Sequence, residues 1–497
     1  MKATGNKAIF KGKIGGDAKI QDAKTLAELL KDHNESGSIP FHMPGHKRSK
    51  AFGYLDGAQS IDITEIDGFD NLHNAKGMLK AAQERTAEFF CVKESRYLVG
   101  GATSGVLSAI RAMTHAGEGV LIARNCHRSV FNAVEICALR PYYVKPAYFE
   151  EYGFCGSVMP EDVERALIEH RDIKLVVITS PTYEGVISDI KSIAKICRAY
   201  DVLLFVDEAH GAHLGLSRKF EQSARNLGAD VVVNSLHKTL PSLTQTAVLH
   251  ICSDRVDAAA IDRNLAVFES SSPSYVLMSS IDECVRYLSQ EGAKTLDKWS
   301  DMLDKFRRSL ARSSKIKLFH GARDGRVFAY DKSKLVFLTV ESAMSGLEFA
   351  RSLRENYNIE LEMASVNYAL AMTGAGDDLP AYLALSEAIF ELENSTKERR
   401  GLVNINGVNV PKKAFDPYEI DCLDLEFVNF ENSVGHVAAE NIWAYPPGAP
   451  IICKGEVIEP DVLRHALYLY ECGVNVESER KSFPDSILAV EQKRMTE

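Results

Sequence analysis

The chain has no run approaching the ~18 consecutive apolar residues that a membrane-spanning helix needs, and none of its ten cysteines pairs as C-x-x-C. The first absence argues against a membrane protein. The second excludes zinc-ribbon and thioredoxin-like readings. Met1 to Gly16 is basic but lacks an apolar core, so no secretory signal is expected. Scattered cysteines, several in apolar stretches, fit a reducing cytoplasm, where free cysteine acts as a small hydrophobe. There is no excess of positive charge: 58 Lys and Arg stand against 68 Asp and Glu, a net charge of -10. That argues against a nucleic-acid surface and is compatible with cationic small substrates. Internal repeats and low-complexity tracts are also missing.

What is present is a soluble-enzyme composition, 45% hydrophobic and 25% charged, on a chain of 497 residues, too long for one core. Residues 1–24 read as a polar arm, and Thr25 caps a short helix carrying Leu26, Leu29 and Leu30. Pro40 to Arg48 holds two histidines, but Pro44 and Gly45 between them rule out the helix on which their spacing would suit a metal. From residue 95 short apolar runs alternate with helical segments. Strands are predicted at 96–99, 119–123, 141–144, 174–179, 202–206, 230–234 and 247–252. This is the pattern of a mostly parallel sheet covered on both faces. After residue 285 come two charged helices, 281–292 and 294–313, then strands near 327–330 and 335–340, a helix near 347–357, a polar linker at 394–410 and a final helix at 460–472. The expected domains are 1–48, an arm and helix; 49–285, the large domain; 286–393, a small α/β domain; and 394–497, a C-terminal domain.

Four features fall after strand ends of the one sheet, where open α/β folds bind their ligands. Gly100 to Gly105, with Thr103 and Ser104, is a Gly-rich turn opening a helix and suits a phosphate. It lacks the lysine of a Walker loop and the G-x-G-x-x-G spacing. His127 can lie flat on a planar ring. Asp207 ends a wholly apolar strand, a costly place for a carboxylate without a cation or metal. Asp207, Glu208, His210 and His213 together are the rival, a metal site, but nothing nearby supplies an open coordination set. Lys238 follows the next strand, where partial desolvation frees its amine for Schiff-base chemistry. Phosphate cradle, ring-stacking histidine, nitrogen-pairing aspartate and Schiff-base lysine supply one residue type for each part of pyridoxal phosphate.

Several stretches carry a wider resemblance. They are Phe41-His42-Met43-Pro44-Gly45-His46-Lys47, Thr103-Ser104-Gly105, Arg124-Asn125-Cys126-His127-Arg128-Ser129, Pro181-Thr182-Tyr183-Glu184-Gly185 and Val206 to His213. Ser235-Leu236-His237-Lys238-Thr239, Leu243-Thr244-Gln245, Ser272-Pro273-Ser274-Tyr275 and Tyr445 to Pro450 complete the set. Through them the chain resembles the ornithine/lysine/arginine decarboxylases, in the short form of Gram-positive arginine decarboxylases and without an N-terminal wing domain. The resemblance implies an α/β chain of pyridoxal-phosphate transferase fold type I, with a mostly parallel seven-stranded large domain and α+β C-terminal domains. It implies pyridoxal 5'-phosphate as cofactor and α-decarboxylation of a basic amino acid, arginine before lysine or ornithine. Lys238, Asp207, His127 and His237 are the implied catalytic residues. Thr103, Ser104, Gly105, Ala209, His210, Ser235 and Ser271 join them around the cofactor. Ser271 would reach the phosphate of a partner subunit, so a homodimer or higher homo-oligomer is implied. Glu65, Asp67, Asp70 and Glu440 are candidates for reading the substrate's cationic end. Ala102 departs from the glycine usual in such relatives, and 333–376 matches only loosely. The rival functions are an aminotransferase or other lyase of the same fold, and a non-catalytic relative.

Overall fold

Seven short strands, most of them apolar, build the centre of the molecule, described here from a computed structural model. They are β1 (Glu94–Leu98), β2 (Gly119–Ala123), β3 (Arg140–Val144), β4 (Ile173–Thr179), β5 (Leu203–Asp207), β6 (Val231–Ser235) and β7 (Ala247–Ile251), in the spatial order β1-β7-β6-β5-β4-β2-β3. The structure describes residues 36–37, 39–41, 65, 70–399, 405, 409–444 and 448–491. The Thr25 helix, residues 42–48, Asp67, residues 400–404 and 406–408 of the expected linker, and Tyr445–Pro447 lie outside them. Residues 40–497 form one compact unit and residues 1–39 another.

β6, β5, β4, β2 and β3 run parallel, and β7 is antiparallel to both its neighbours, β6 and β1. β2, β6 and β7 are buried at every position. That explains their largely apolar character, broken by Asn234 and Ser235 at the end of β6 and by His250 in β7: helices cover both faces of the sheet, so neither face is open to water. The covering helices include α1 (Met78–Phe90), α2 (Gly101–Met113), α3 (Arg128–Ile136), α4 (Pro160–Glu169) and α5 (Ile190–Ala199). The helix α2 sits close to the sheet at Gly105, where a Cβ would meet Leu98 Cδ1 at 2.5 Å. The short helix α6 (Leu236–Thr239) follows β6 directly, and α7 (Ala258–Phe268), not expected from the sequence, packs on α2.

The two charged helices expected at 281–292 and 294–313 are one helix, α8, from Tyr275 to Ser309. A glycine inside a helix costs about 1 kcal/mol, and the gap between the two expected helices falls just after Gly292. Here Leu288, Gly292, Leu296, Trp299, Leu303 and Phe306 are all buried, and that continuous apolar face carries the helix through. α8 therefore also runs across the boundary expected at 285. Beyond it, an antiparallel sheet ordered β8 (Lys317–Leu318), β9 (Lys334–Leu338), β11 (Tyr368–Met372), β10 (Met363–Ala364) packs with α9 (Gly346–Tyr357) and α10 (Leu379–Ser395). The C-terminal part holds two small antiparallel sheets and α11 (Pro460–Glu471). Among the described residues no helix is long and apolar enough to cross a membrane.

Arg124, just past β2, fastens the C-terminal part to the large sheet. It donates to the carbonyls of Pro450 (2.9 Å) and Ile451 (3.3 Å) and to Glu456 Oε2 (2.9 Å). Glu456 is 1% exposed at its side chain and Arg124 11%. Removing one member of a buried pair strands the other charge. Arg124→Met is expected to lower stability to urea by about 3–5 kcal/mol, and adding Glu456→Leu to the same protein should recover part of that loss.

Candidate active site

A cavity of about 410 Å³ opens at the carboxyl ends of the parallel strands. Gly101 after β1, Arg124 and Asn125 after β2, Thr179 at the end of β4, Asp207 at the end of β5 and Ser235 at the end of β6 all line it. The small sheet adds Met363, Ser365 and Tyr368, and the C-terminal part adds Ile451, His465 and Val474.

Lys238 stands on α6 at the cavity wall. Burial lowers its amine to about 8, against the opposing pull of Asp207 and Glu362. Its Nζ lies 2.7 Å from His210 Nε2. Burial, followed by the charge of Lys238, holds His210 well below the ordinary histidine range, so the ring is neutral. The Tyr183 ring sits 4.4 Å from it. Asp207 accepts from the Ala209 amide at 3.1 Å. Burial raises its pKa, and the nearby Lys238 offsets only part of that. His127 caps α3, where its Nδ1 accepts from the Ser129 amide. Burial and then the charges of Lys238 and Arg128 bring it down to about 4, so it too presents a neutral ring.

Pleating separates the members of the rival metal site. Asp207 and His210 line the cavity. Glu208, on the other side of the strand end, is held by Ser223 Oγ (2.5 Å), the Ala224 amide (2.7 Å) and Asn234 Nδ2 (3.0 Å). His213 lies 3.2 Å from Asp331 in the core.

The phosphate cradle is narrower than the sequence suggested. Gly101, Ala102 and Thr103 line the cavity at the first turn of α2. Gly101 has φ +75°, and no side chain caps the helix at Gly100. The adjoining amides of Val99 and Gly100 are already used by Glu269, as is Ser104, whose Oγ lies 2.7 Å from Glu269 Oε1. Ser104 and Gly105 therefore do not line the cavity. Ser235, Ala209 and His237 do. His237 directs Nδ1 to the Thr246 carbonyl at 3.0 Å. Ser271 is exposed and away from the cavity.

Two of the expected side-chain readers are committed elsewhere. The Asp70 carboxylate accepts from the amides of Lys76, Gly77 and Leu79 at the start of α1. Glu440 is fully buried and accepts from the Arg480 and Leu488 amides. The sequence reading gave no role to Tyr183, Glu184 or Tyr368. The first two lie in the Pro181–Gly185 stretch directly after β4, a position that could have flagged them.

Whether this lining suits pyridoxal phosphate can be judged from polar atoms the protein leaves unpaired. Asn125 Oδ1, Thr179 Oγ1 and His210 Nδ1 are buried at the cavity without a protein partner. A buried carboxylate, a desolvated lysine, neutral imidazoles and an uncapped helix start surround the same space. The residues fit a planar, phosphorylated aldehyde with a basic ring nitrogen.

Comparison with known proteins agrees. The family model described as Orn/Lys/Arg decarboxylase, major domain, matches residues 25–350. The chain is 30% identical over 468 residues to an arginine decarboxylase of Halalkalibacterium halodurans, covering 92% of this chain and 95% of that one. It is 28% identical over 476 residues to an arginine decarboxylase of Bacillus subtilis, covering 94% and 97%. Lysine decarboxylase A from Pseudomonas aeruginosa shares the fold, with a TM-score of 0.72 at 18% identity over 93% of this chain and 80% of that one. Ureidoglycine–glyoxylate aminotransferase from Bacillus subtilis shares it more distantly, at a TM-score of 0.51 and 15% identity over 66% and 87%. With that span of sequence matched and a lysine, an aspartate and a histidine gathered at the strand ends, the chain belongs to the Orn/Lys/Arg decarboxylase family of pyridoxal-phosphate enzymes.

Proposed function

We propose that this enzyme removes the α-carboxylate of arginine, yielding agmatine and carbon dioxide, with lysine and ornithine as the alternative substrates. The observation that carries the decarboxylase chemistry is Lys238, desolvated at the cavity wall between Asp207 and His210. Arginine is preferred because the relatives aligned almost end to end bear that name.

Lys238 would hold the cofactor's aldehyde carbon, Asp207 its pyridine nitrogen, and His127 and Ala209 its two faces. Thr103, the first amides of α2, Ser235 and His237 would meet its phosphate. When bound, the cofactor supplies the electron sink for the pair released from the Cα–carboxylate bond. The chain's own residues do the rest. Asp207, costly as an isolated buried anion, is stabilised by any cation brought against it. The Lys238 amine, near 8, exchanges protons readily at neutral pH and returns one to Cα, while His210 Nε2 fixes where that amine points. Closure of the cavity by the small sheet and the C-terminal part keeps competing water away.

An aminotransferase reading is weaker on a specific ground. An arginine gripping the α-carboxylate would oppose its loss. Arg124 is the one arginine among the described lining residues, and its guanidinium is committed to Pro450, Ile451 and Glu456. We further propose a cytoplasmic homodimer in which the exposed turn at Ser271 approaches the partner's phosphate.

The function is tested by incubating the holoenzyme with arginine, lysine and ornithine and measuring agmatine, cadaverine and putrescine by mass spectrometry. Agmatine should dominate, and the absence of all three amines would refute the proposal. Lys238→Ala should leave no pyridoxyl group fixed by borohydride and cut turnover by roughly 10²–10⁴-fold or more. Since the reactive amine is the unprotonated one, cofactor uptake by the apoprotein should rise about tenfold per pH unit below about 8 and level off above it. A midpoint near 10.5 would mean that Lys238 is as solvated as a surface lysine.

A further inference from the structure

A cationic substrate needs a partner for the far end of its side chain. Two carboxylates line the cavity among the described residues, Asp207 and Glu184. Asp207 faces Lys238 electrostatically and is assigned above to the ring nitrogen. We propose that Glu184 receives the cationic end of the substrate side chain. This rests on the reading of the enzyme as a basic amino-acid decarboxylase.

The side chain of Glu184 is set up for such a role, and no cation among the described residues pairs with it. Its Oε2 accepts from Thr182 Oγ1 at 3.1 Å and its Oε1 from Tyr368 OH at 2.9 Å. Both donors are neutral hydroxyls, one from the large domain and one from the small sheet. They fix the carboxylate and leave acceptor capacity on each oxygen. The residue is 5% exposed, and no lysine, arginine or histidine offsets the burial that raises its pKa. A buried carboxylate without a cation is an unfavourable arrangement, and an incoming guanidinium or ammonium relieves it.

The surroundings suit the rest of such a side chain. Tyr148, Phe154, Cys155 and Tyr368 line the same part of the wall. Apolar and aromatic surfaces accommodate a methylene stem, and ring faces attract a planar cation. Position fits as well. Tyr183, the neighbour of Glu184, packs on His210, which touches Lys238. The carboxylates whose charges act on Lys238 are Asp207 and Glu362, and Glu184 is not among them. Glu362 itself accepts from Tyr183 OH at 2.5 Å and does not line the cavity.

The test uses holoenzyme carrying Glu184→Gln or Glu184→Asp. Cofactor absorption and Tm are checked first. Then kcat and KM are measured for arginine, lysine, ornithine and citrulline, the uncharged isostere of arginine, with calorimetric binding of agmatine alongside. Glu184→Gln should lower kcat/KM for the preferred basic substrate by roughly 100-fold, mostly through KM, as expected for a lost charge-assisted contact. Preference over citrulline should shrink by the same factor, agmatine binding should weaken in parallel, and Glu184→Asp should recover part of each. Unchanged KM, or equal losses on arginine and citrulline, would overturn the assignment. If Glu184→Gln does not fold, Glu184→Asp decides: a raised KM with charge preference retained supports the role, and an unchanged KM refutes it. A wild-type enzyme inactive on every basic amino acid would sink the functional proposal instead, while loss of agmatine binding in Glu184→Gln would still identify the cation site.

Discussion

The site depends on one electrostatic circumstance. An amine and a carboxylate, Lys238 and Asp207, are both taken out of water at the ends of adjacent parallel strands, β6 and β5. Neither is comfortable there: burial pushes the lysine down to about 8 and pushes the aspartate up. Each stabilises the charged form of the other, but only in part. The same desolvation that makes the pair expensive raises the share of neutral amine at ordinary pH and favours a ring cation against Asp207, in the roles proposed above. The apolar strands leading to the two residues, LLFVD and VVVNS, are therefore part of the reactivity. A polar residue introduced along them would admit water and restore ordinary pKa values at the site.

Much of this could be read directly from the residues. Parallel strands buried on both faces must be nearly all apolar, so five-residue runs such as Gly119–Ala123 marked the sheet and its ends marked the ligand crevice. Lys238, Asp207 and His127 followed from that placement. What escaped was set by tertiary packing. Gly292 reads as a helix break from local propensity, but the apolar stripe around it is buried and carries α8 through. Ser104 reads as a phosphate donor from its place in a Gly-rich turn, but Glu269, 165 residues away in the chain, takes its hydroxyl. Asp70 and Glu440 read as free carboxylates because nothing local reveals the backbone amides that each one caps. Helices α7 and α10 were overlooked altogether. Around α10 the hydropathy varies little, so the 3.6-residue period is faint.

The back of the site shows how the small sheet and the large one share control of the reactive amine. Lys334, the first residue of β9, has no exposed surface. Its ammonium donates to Asp331 Oδ2 at 2.8 Å and to the His210 carbonyl at 2.9 Å. Burial alone would raise Asp331, but Lys334 and then His213 outweigh it and hold the carboxyl well below the usual range, so the pair is ionic. A buried ion pair contributes little net stability but tolerates few geometries. Here the geometry it enforces is the backbone position of His210, whose ring meets Lys238 on the cavity side. The ring is thus set by a strand of another sheet, 124 residues further along the chain. Tyr368, on the neighbouring strand β11, donates to Glu184, the residue next to Tyr183 in the chain. Displacing the small sheet would therefore disturb His210 and Glu184 together, and the amine's orientation would change along with the reading of the side chain. In the reading proposed above, substrate recognition and chemistry are coupled through that sheet because these two polar contacts land on residues that line the cavity.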